Sequence, residues 1–247
     1  NPLTEEKANN IAAGVTYKKN GLTATVDFYQ ITVDDRIVLT DVFDASALNV
    51  GADAAQFFSN GVDTKTTGVD LVLGYKHMLT DDNTVNVGIA ANFNNTEIES
   101  INSGELNSFT FFGPFSQAYL EAAAPDFKIG FNAGANFGKL NVQLGYTLFS
   151  EVILQDFQWV DSPATTQAEA DALFSVATDT YESAGTLDLS LGYELSKNFN
   201  LTVGANNLFN TYPTAQFDGW TDQGGFNDSV QMGSDGMFLF TRIGFNF

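Results

Sequence analysis

The sequence predicts an all-β fold, an antiparallel transmembrane β-barrel segment of about nine strands with short periplasmic turns and long extracellular loops. Three observations predict it. Apolar residues recur at every second position in runs of about ten residues, and the connections between runs are alternately short and long. The face opposite the apolar one carries Gly, Asn, Thr, Ser and Gln where a soluble sheet would carry Lys, Glu and Arg.

The first hairpin joins Ile11, Ala13, Val15 and Tyr17 to Leu22, Ala24, Val26 and Phe28 through Lys18-Lys19-Asn20-Gly21. Asn-Gly accepts the positive φ angles of a primed turn, whose twist matches the strands it joins. The second runs from Val69, Leu71, Leu73 and Tyr75 through Thr80-Asp81-Asp82-Asn83 to Val85, Val87, Ile89, Ala91 and Phe93. In the third, Ile129, Phe131, Ala133, Ala135 and Phe137 alternate with Gly130, Asn132, Gly134 and Asn136 before Gly138-Lys139 turns the chain into Leu140, Val142, Leu144 and Tyr146. The fourth sets Leu187, Leu189, Leu191, Tyr193 and Leu195 against Asp188, Ser190, Gly192 and Glu194. Beyond Ser196-Lys197-Asn198 it returns as Phe199, Leu201, Val203 and Ala205. A last strand, Met237 to Phe247, stands alone.

Long connections are expected near residues 39–64, 97–125, 153–182 and 210–236, and they hold much of the acid, including Asp41, Asp44, Asp53, Asp161, Glu169, Asp171, Asp179, Asp218, Asp222 and Asp228. Residues 167–177, rich in Ala, Glu, Asp and Leu, are expected to form a short helix. Aromatics gather near strand ends, at Tyr17, Phe28, Tyr75, Phe93, Phe137, Tyr146, Tyr193, Phe199, Phe209 and Phe247, as the interfacial girdles of a barrel do.

Composition fits the same reading. Hydrophobic residues are 44% of the 247 and charged residues only 16%, against about 25% in an average soluble domain. No apolar run is long enough for a membrane-spanning helix, so insertion would be by strands. A net charge of -20 with 10 scattered basic residues argues against a nucleic-acid partner. With no Cys and one His, neither thiolate chemistry nor an ordinary zinc site is available.

No catalytic, cofactor or metal residues are assigned. There is no G-x-S-x-G, and His77 reads as a polar residue at a strand end beside a short turn. The Gly-x-Gly spacings fall inside strands, where they allow close packing or curvature instead of cradling phosphate. Asp27, Asp70, Asp188, Glu194 and Arg242 are the charged residues expected to face inward, with pairing across the lumen as their default role. Loop aromatics Phe111, Phe112, Phe115, Trp159, Phe217, Trp220 and Phe226 either close over a solute or pack the loops together.

An odd count of strands does not close a single-chain bacterial barrel, and open edges would leave backbone N–H and C=O groups in lipid at several kcal/mol each. The opening Asn1-Pro2-Leu3 without Met is read as part of a longer chain whose earlier strands pair with these edges. The 247 residues alone are expected not to fold stably in detergent.

Several motifs, in order along the chain, resemble those of TonB-dependent receptors. Asn1-Pro2-Leu3-Thr4-Glu5-Glu6, followed by Ala13-Gly14-Val15-Thr16-Tyr17, is similar to the opening of the family's late barrel, without its usual Pro and second Glu. Asp27-Phe28-Tyr29-Gln30-Ile31 leading to Asp35-Arg36-Ile37, and Thr67-Gly68-Val69-Asp70-Leu71, look like two of its strands. The most specific match is Asn206-Asn207-Leu208-Phe209-Asn210-Thr211-Tyr212-Pro213, similar to the family's NNLFN signature. The terminal strand, ending in an aromatic, resembles the signal read by the barrel-assembly machinery, and Phe238, Phe240, Ile243, Phe245 and Phe247 are its expected residues. The approach Gly233-Ser234-Asp235-Gly236-Met237 is more like receptors of Bacteroidota than enterobacterial ones.

This resemblance implies an outer-membrane location and the C-terminal part of a barrel of about 22 strands whose plug and early strands precede this chain. It also implies TonB-driven uptake of a scarce solute such as a ferric siderophore, vitamin or oligosaccharide, with TonB acting through the plug, and no enzymatic activity. The rival is a general porin or adhesin-like barrel, which needs neither plug nor energy.

Overall fold

The computed structural model describes residues 2–44, 51, 54–122, 125–155, 168, 178–215, 225–226 and 231–245. In chain order the elements are β1 (Lys7–Lys19), β2 (Leu22–Leu39), β3 (Phe43–Asp44), β4 (Ala54–Ala55), β5 (Phe58–Thr80), β6 (Asn83–Ile101), α1 (Ser108–Phe111) and α2 (Pro114–Ala122). They continue with β7 (Phe127–Phe137), β8 (Leu140–Phe149), β9 (Val152–Gln155), β10 (Thr178–Tyr181), β11 (Ala184–Ser196), β12 (Phe199–Asn206) and β13 (Phe238–Phe245). Nine strands form one sheet in the order β1-β2-β5-β6-β7-β8-β11-β12-β13, all antiparallel, while β3-β4 and β9-β10 are small separate ribbons. Among the described residues no helix is long and apolar enough to cross a membrane.

Register makes the period-two pattern into two surfaces. Leu22 faces Tyr75, and the same row continues through Val87, Ala133, Leu144, Leu189, Ala205 and Leu239. One residue along, on the other face, Lys18, Thr23, Gly74, Gly88, Asn132, Gly145 and Asp188 lie side by side. A slip of one residue at any pair would put Asn and Asp into the apolar row, so each strand fixes its neighbour's register. The apolar surface stays bare. Val203 keeps 42% and Val15 74% of its accessible area, and Leu187, Leu189 and Leu201 are half-buried, packed only against neighbours in the sheet.

The turn at Asn20-Gly21 has φ of 49° and 84°, as a primed turn requires. The opposite end of the sheet departs from expectation. β2, β5 and β6 run 18, 23 and 19 residues, where about ten suffice for a tilted crossing, so stretches expected to be loop, including residues 58–64 and 97–101, are strand. The apolar surface ends near Phe28, Val69, Phe93 and Phe127, and the same face then carries Gln30, Thr67 and Asn95, followed by Thr32, Lys65 and Glu97. Clean alternation fails in these extensions because β-bulges, at Val33/Arg36 and Asp63/Thr64, shift the faces and because other segments cover them.

Asp63 holds this bulged region together. One carboxylate oxygen accepts the Asp35 amide at 2.8 Å; the other accepts the Ser100 hydroxyl at 2.5 Å and the Asn102 amide at 3.1 Å. The Ser100 hydrogen bond, then the Asp35 amide, outweigh the opposing effect of burial and, with a smaller contribution from Asn102, hold the Asp63 carboxyl below its ordinary range. The next freed amide, that of Ile37, donates to Glu6 at 2.6 Å.

The packed interior lies in the extensions and the connections beyond them. Val62, Phe111 and Phe112 form one buried cluster with Val38, Ile98, Ile101 and Leu120 against it; Val152, Leu154 and Tyr181 form another. The helices α1 and α2 were not expected from the sequence, since nine residues starting at Pro114 give too few turns for a helical period to emerge. The expected helix at 167–177 lies outside the described residues except for position 168.

Two measurements check this fold. Leu189→Arg should cost about 2–4 kcal/mol and lower the heat-modifiable, membrane-inserted fraction of the protein, whereas Ser190→Arg on the other face should be tolerated; equal effects would refute the assignment of faces. Because the Asp63 carboxyl is held low when folded, its stabilising contribution is complete above the unfolded value of 3.8 and is lost as pH falls through the lower folded value. The melting temperature of the wild-type protein should therefore fall more than that of Asp63→Asn on acidification from about pH 6 to about pH 3.

Candidate functional site

The polar face of the sheet is the surface on which a hydrated pathway can be built. Its side chains are held by one another. Asn92 donates through Nδ2 to Tyr29 Oη at 3.0 Å and to Asp70 Oδ1 at 2.8 Å, and its Oδ1 accepts from Asn94 at 2.9 Å. The Tyr29 ring lies across Gly68, and a Cβ there would overlap it, so this position demands glycine. Nearer the short turns, Asn141 donates to Asn136 at 2.6 Å and Asn136 to Thr84 at 3.1 Å. Amides on neighbouring strands thus satisfy each other while keeping spare donors and acceptors for water or solute.

All five charged residues expected to face inward lie on this polar side: Asp27 opposite Asp70, Asp188 opposite Gly145, Glu194 opposite Asn200 and Arg242 opposite Thr202. Within this one sheet their contacts are with neighbouring strands. None forms an ion pair among the described residues, where the ion pair found is Lys65 with Glu99 at 3.8 Å, in the extensions. Two of the five accept hydrogen bonds. Asp70 accepts from Asn92, and Asp188 from the Asn207 backbone at 2.8 Å. A carboxylate takes amide donors without the exact geometry that a buried ion pair needs to offset desolvation.

The signature residues prove to be a turn-building device. Asn206 ends β12, and Asn207 and Asn210 take φ of 49° and 55°, a left-handed conformation that Asn accepts more readily than most residues. The Asn207 side chain, nearly buried, donates to Thr211 O at 2.7 Å and accepts from Thr211 N at 2.9 Å, closing the loop on itself. Leu208 N donates to Leu187 O at 2.6 Å, Asn210 Oδ1 accepts the Met237 amide at 2.8 Å at the approach to β13, and Phe209 projects outward with 72% of its area exposed.

The terminal strand divides the residues expected to form one signal. Ile243 and Phe245 share the apolar face with Leu201 and Phe199, whereas Phe238 and Phe240 stand on the polar face beside Asn206 and Gly204. Phe247 lies outside the described residues. The outward stripe is Leu239, Thr241, Ile243 and Phe245, so Leu239 belongs with it; counting by twos back from the terminal aromatic would have found it.

His77 packs at the short-turn end, its ring stacked on Tyr75 at 6.1 Å and its Nδ1 3.4 Å from the Tyr75 hydroxyl. Among the loop aromatics, Phe111 and Phe112 are buried, Phe115 packs on Tyr119 at 6.2 Å and Phe226 stacks on Tyr212 at 5.8 Å. Trp159, Phe217 and Trp220 lie outside the described residues, as do Asp53, Asp161, Glu169, Asp171, Asp218, Asp222 and Asp228.

Comparison with known proteins follows the same lines. The profile of the family described as "TonB dependent receptor-like, beta-barrel" matches residues 1–208. Comparison with the curated proteins gives no match. Among solved structures, the chain is similar to the copper transporter OprC, with a TM-score of 0.58 and 18% identity over 100% of this chain and 32% of that one. It is similar to a mutant of the ferric enterobactin receptor PfeA of Pseudomonas aeruginosa, with a TM-score of 0.59 and 16% identity over 98% of this chain and 31% of that one. The pyoverdine outer membrane receptor FpvA of Pseudomonas aeruginosa PAO1, bound to pyoverdine, gives a TM-score of 0.61 and 15% identity over 99% of this chain and 30% of that one. The chain therefore spans about a third of the length of these structures, whose likeness shows the fold. With the family profile matching most of its length, a sheet with one apolar and one hydrated face, and the signature turn in place, this chain belongs to the β-barrel family of TonB-dependent receptors of the bacterial outer membrane.

Proposed function

We propose that this chain is the C-terminal part of the barrel of a receptor that takes up a scarce solute across the outer membrane with energy supplied through TonB. The observation that carries this reading is the division of one sheet into an outward apolar surface and an inward surface of Asn, Gly, Thr and Asp, in a chain of this family. The apolar face meets lipid, the polar face lines the interior, and a plug from elsewhere in the protein fills that interior and receives TonB. The solute class is a ferric siderophore, a vitamin or an oligosaccharide. Barrel residues here have no chemistry to perform; they offer hydrogen bonds that water and solute exchange at little cost. The outward stripe of β13, Leu239, Thr241, Ile243 and Phe245, together with the terminal Phe247, acts as the signal that the barrel-assembly machinery reads.

Cells carrying the full receptor as their sole route for the solute test the uptake reading, with labelled ferric siderophores, cobalamin and oligosaccharides as probes. Accumulation of one probe should be saturable and vanish when TonB is deleted or the proton gradient is collapsed; flux that is unsaturable and indifferent to both would indicate a general porin. Removing residues 238–247 from the full receptor should abolish the heat-modifiable, inserted form, and normal insertion would refute the assembly role.

A further inference from the structure

The connections at the long-loop end are tied to one another in series. The first, residues 40–57, reaches the second, residues 102–126, through Asp41. Asp41 N donates to Phe111 O at 3.1 Å, and its carboxylate accepts from Gly113 N at 2.9 Å and from the Ser116 hydroxyl at 2.6 Å. A side chain from one connection thus anchors the start of helix α2 in another, through the amide of the residue before the helix and a hydroxyl of its first turn. Phe111 and Phe112 secure the same junction by burial against Val62.

The second connection meets the third through α2, which packs on both β6 and β9 and buries Ala118. The third meets the fourth, residues 207–237, through Gln231. Only 8% exposed, Gln231 shares its two Nε2 hydrogens among Ser150 O at 3.2 Å, Tyr181 O at 3.2 Å and Glu182 O at 2.8 Å. Glu182 N also donates to Thr214 Oγ1 at 3.0 Å, a second bond across the same junction.

We propose that these ties make the described parts of the four connections one cooperative cap, with α2 as the coupling element and Asp41 the positioning residue that holds it. Each tie is between chain segments far apart in sequence, so a connection cannot move alone without breaking the ties it shares with its neighbour. Helix α2, in contact with both junctions, is the element whose position each of them biases. A disturbance at any one of these described segments then shifts the others. This inference concerns the cap itself and stands whether or not the interior carries a solute.

Hydrogen exchange of the full receptor in outer-membrane vesicles tests it. Asp41→Ala should raise exchange about tenfold at residues 111–118, as expected for losing hydrogen bonds to a charged group, and should also raise it in β9 and β10. Gln231→Ala should do the reverse, loosening β9 and β10 and also residues 111–118. Amides of β11 and β12 should keep their protection in both variants, which certifies an intact barrel. If either variant affects only its own connection, or neither changes exchange, the cooperative cap is refuted. Should Asp41→Ala fail to insert, Ser116→Ala removes one of the two carboxylate contacts and must give the same pattern at smaller amplitude.

Discussion

The structure depends on one constraint: inside hydrocarbon a backbone amide or carbonyl has no water to turn to, so every strand must find its hydrogen bonds in a neighbour. Antiparallel pairing supplies them, and period-two geometry then forces each residue to one face or the other. A side chain's place in sequence and its solvent become the same fact. Nine consecutive sheet strands obey this without a slip through the apolar zone, and the register shifts fall at its margins, in the bulged extensions and close to the short turns.

Beyond the apolar zone the rule relaxes, and a different economy of contacts appears. Water is available there, bulges can free amides, and Asp63 or Glu6 can take those amides up. Small clusters around Val62 and Val152 supply the only burial resembling a soluble core among the described residues. The barrel wall has no such interior, since its apolar side chains face outward. Packing, and with it coupling between distant segments, is concentrated at the loop end.

The polar face shows how a wall can be hydrophilic yet ordered. Asn, Thr and Asp bond across strands, and glycine lets Tyr29 lie flat against the sheet at Gly68. Amide networks, unlike ion pairs, keep donors and acceptors to spare, which suits a surface in contact with water. The signature turn at Asn207 belongs to the same logic: it joins β12 to the return path with side-chain amides instead of a hydrophobic anchor.

The sequence by itself determined the strand count, the face of every alternating residue, the short turns and the family, because a two-residue period and a turn's φ requirements are local and repeat in the chain. Residues such as Leu189 and Ser190 declare opposite faces with no knowledge of their partners. Only the tertiary structure decided which neighbours Asp70 and Asp188 bond to and how far β5 and β6 extend. It alone revealed α2 anchored by Asp41 and the extensions covered by distant segments. Those features join residues many positions apart, through single contacts that leave no period behind, and a contact made once in space has no signature along the chain.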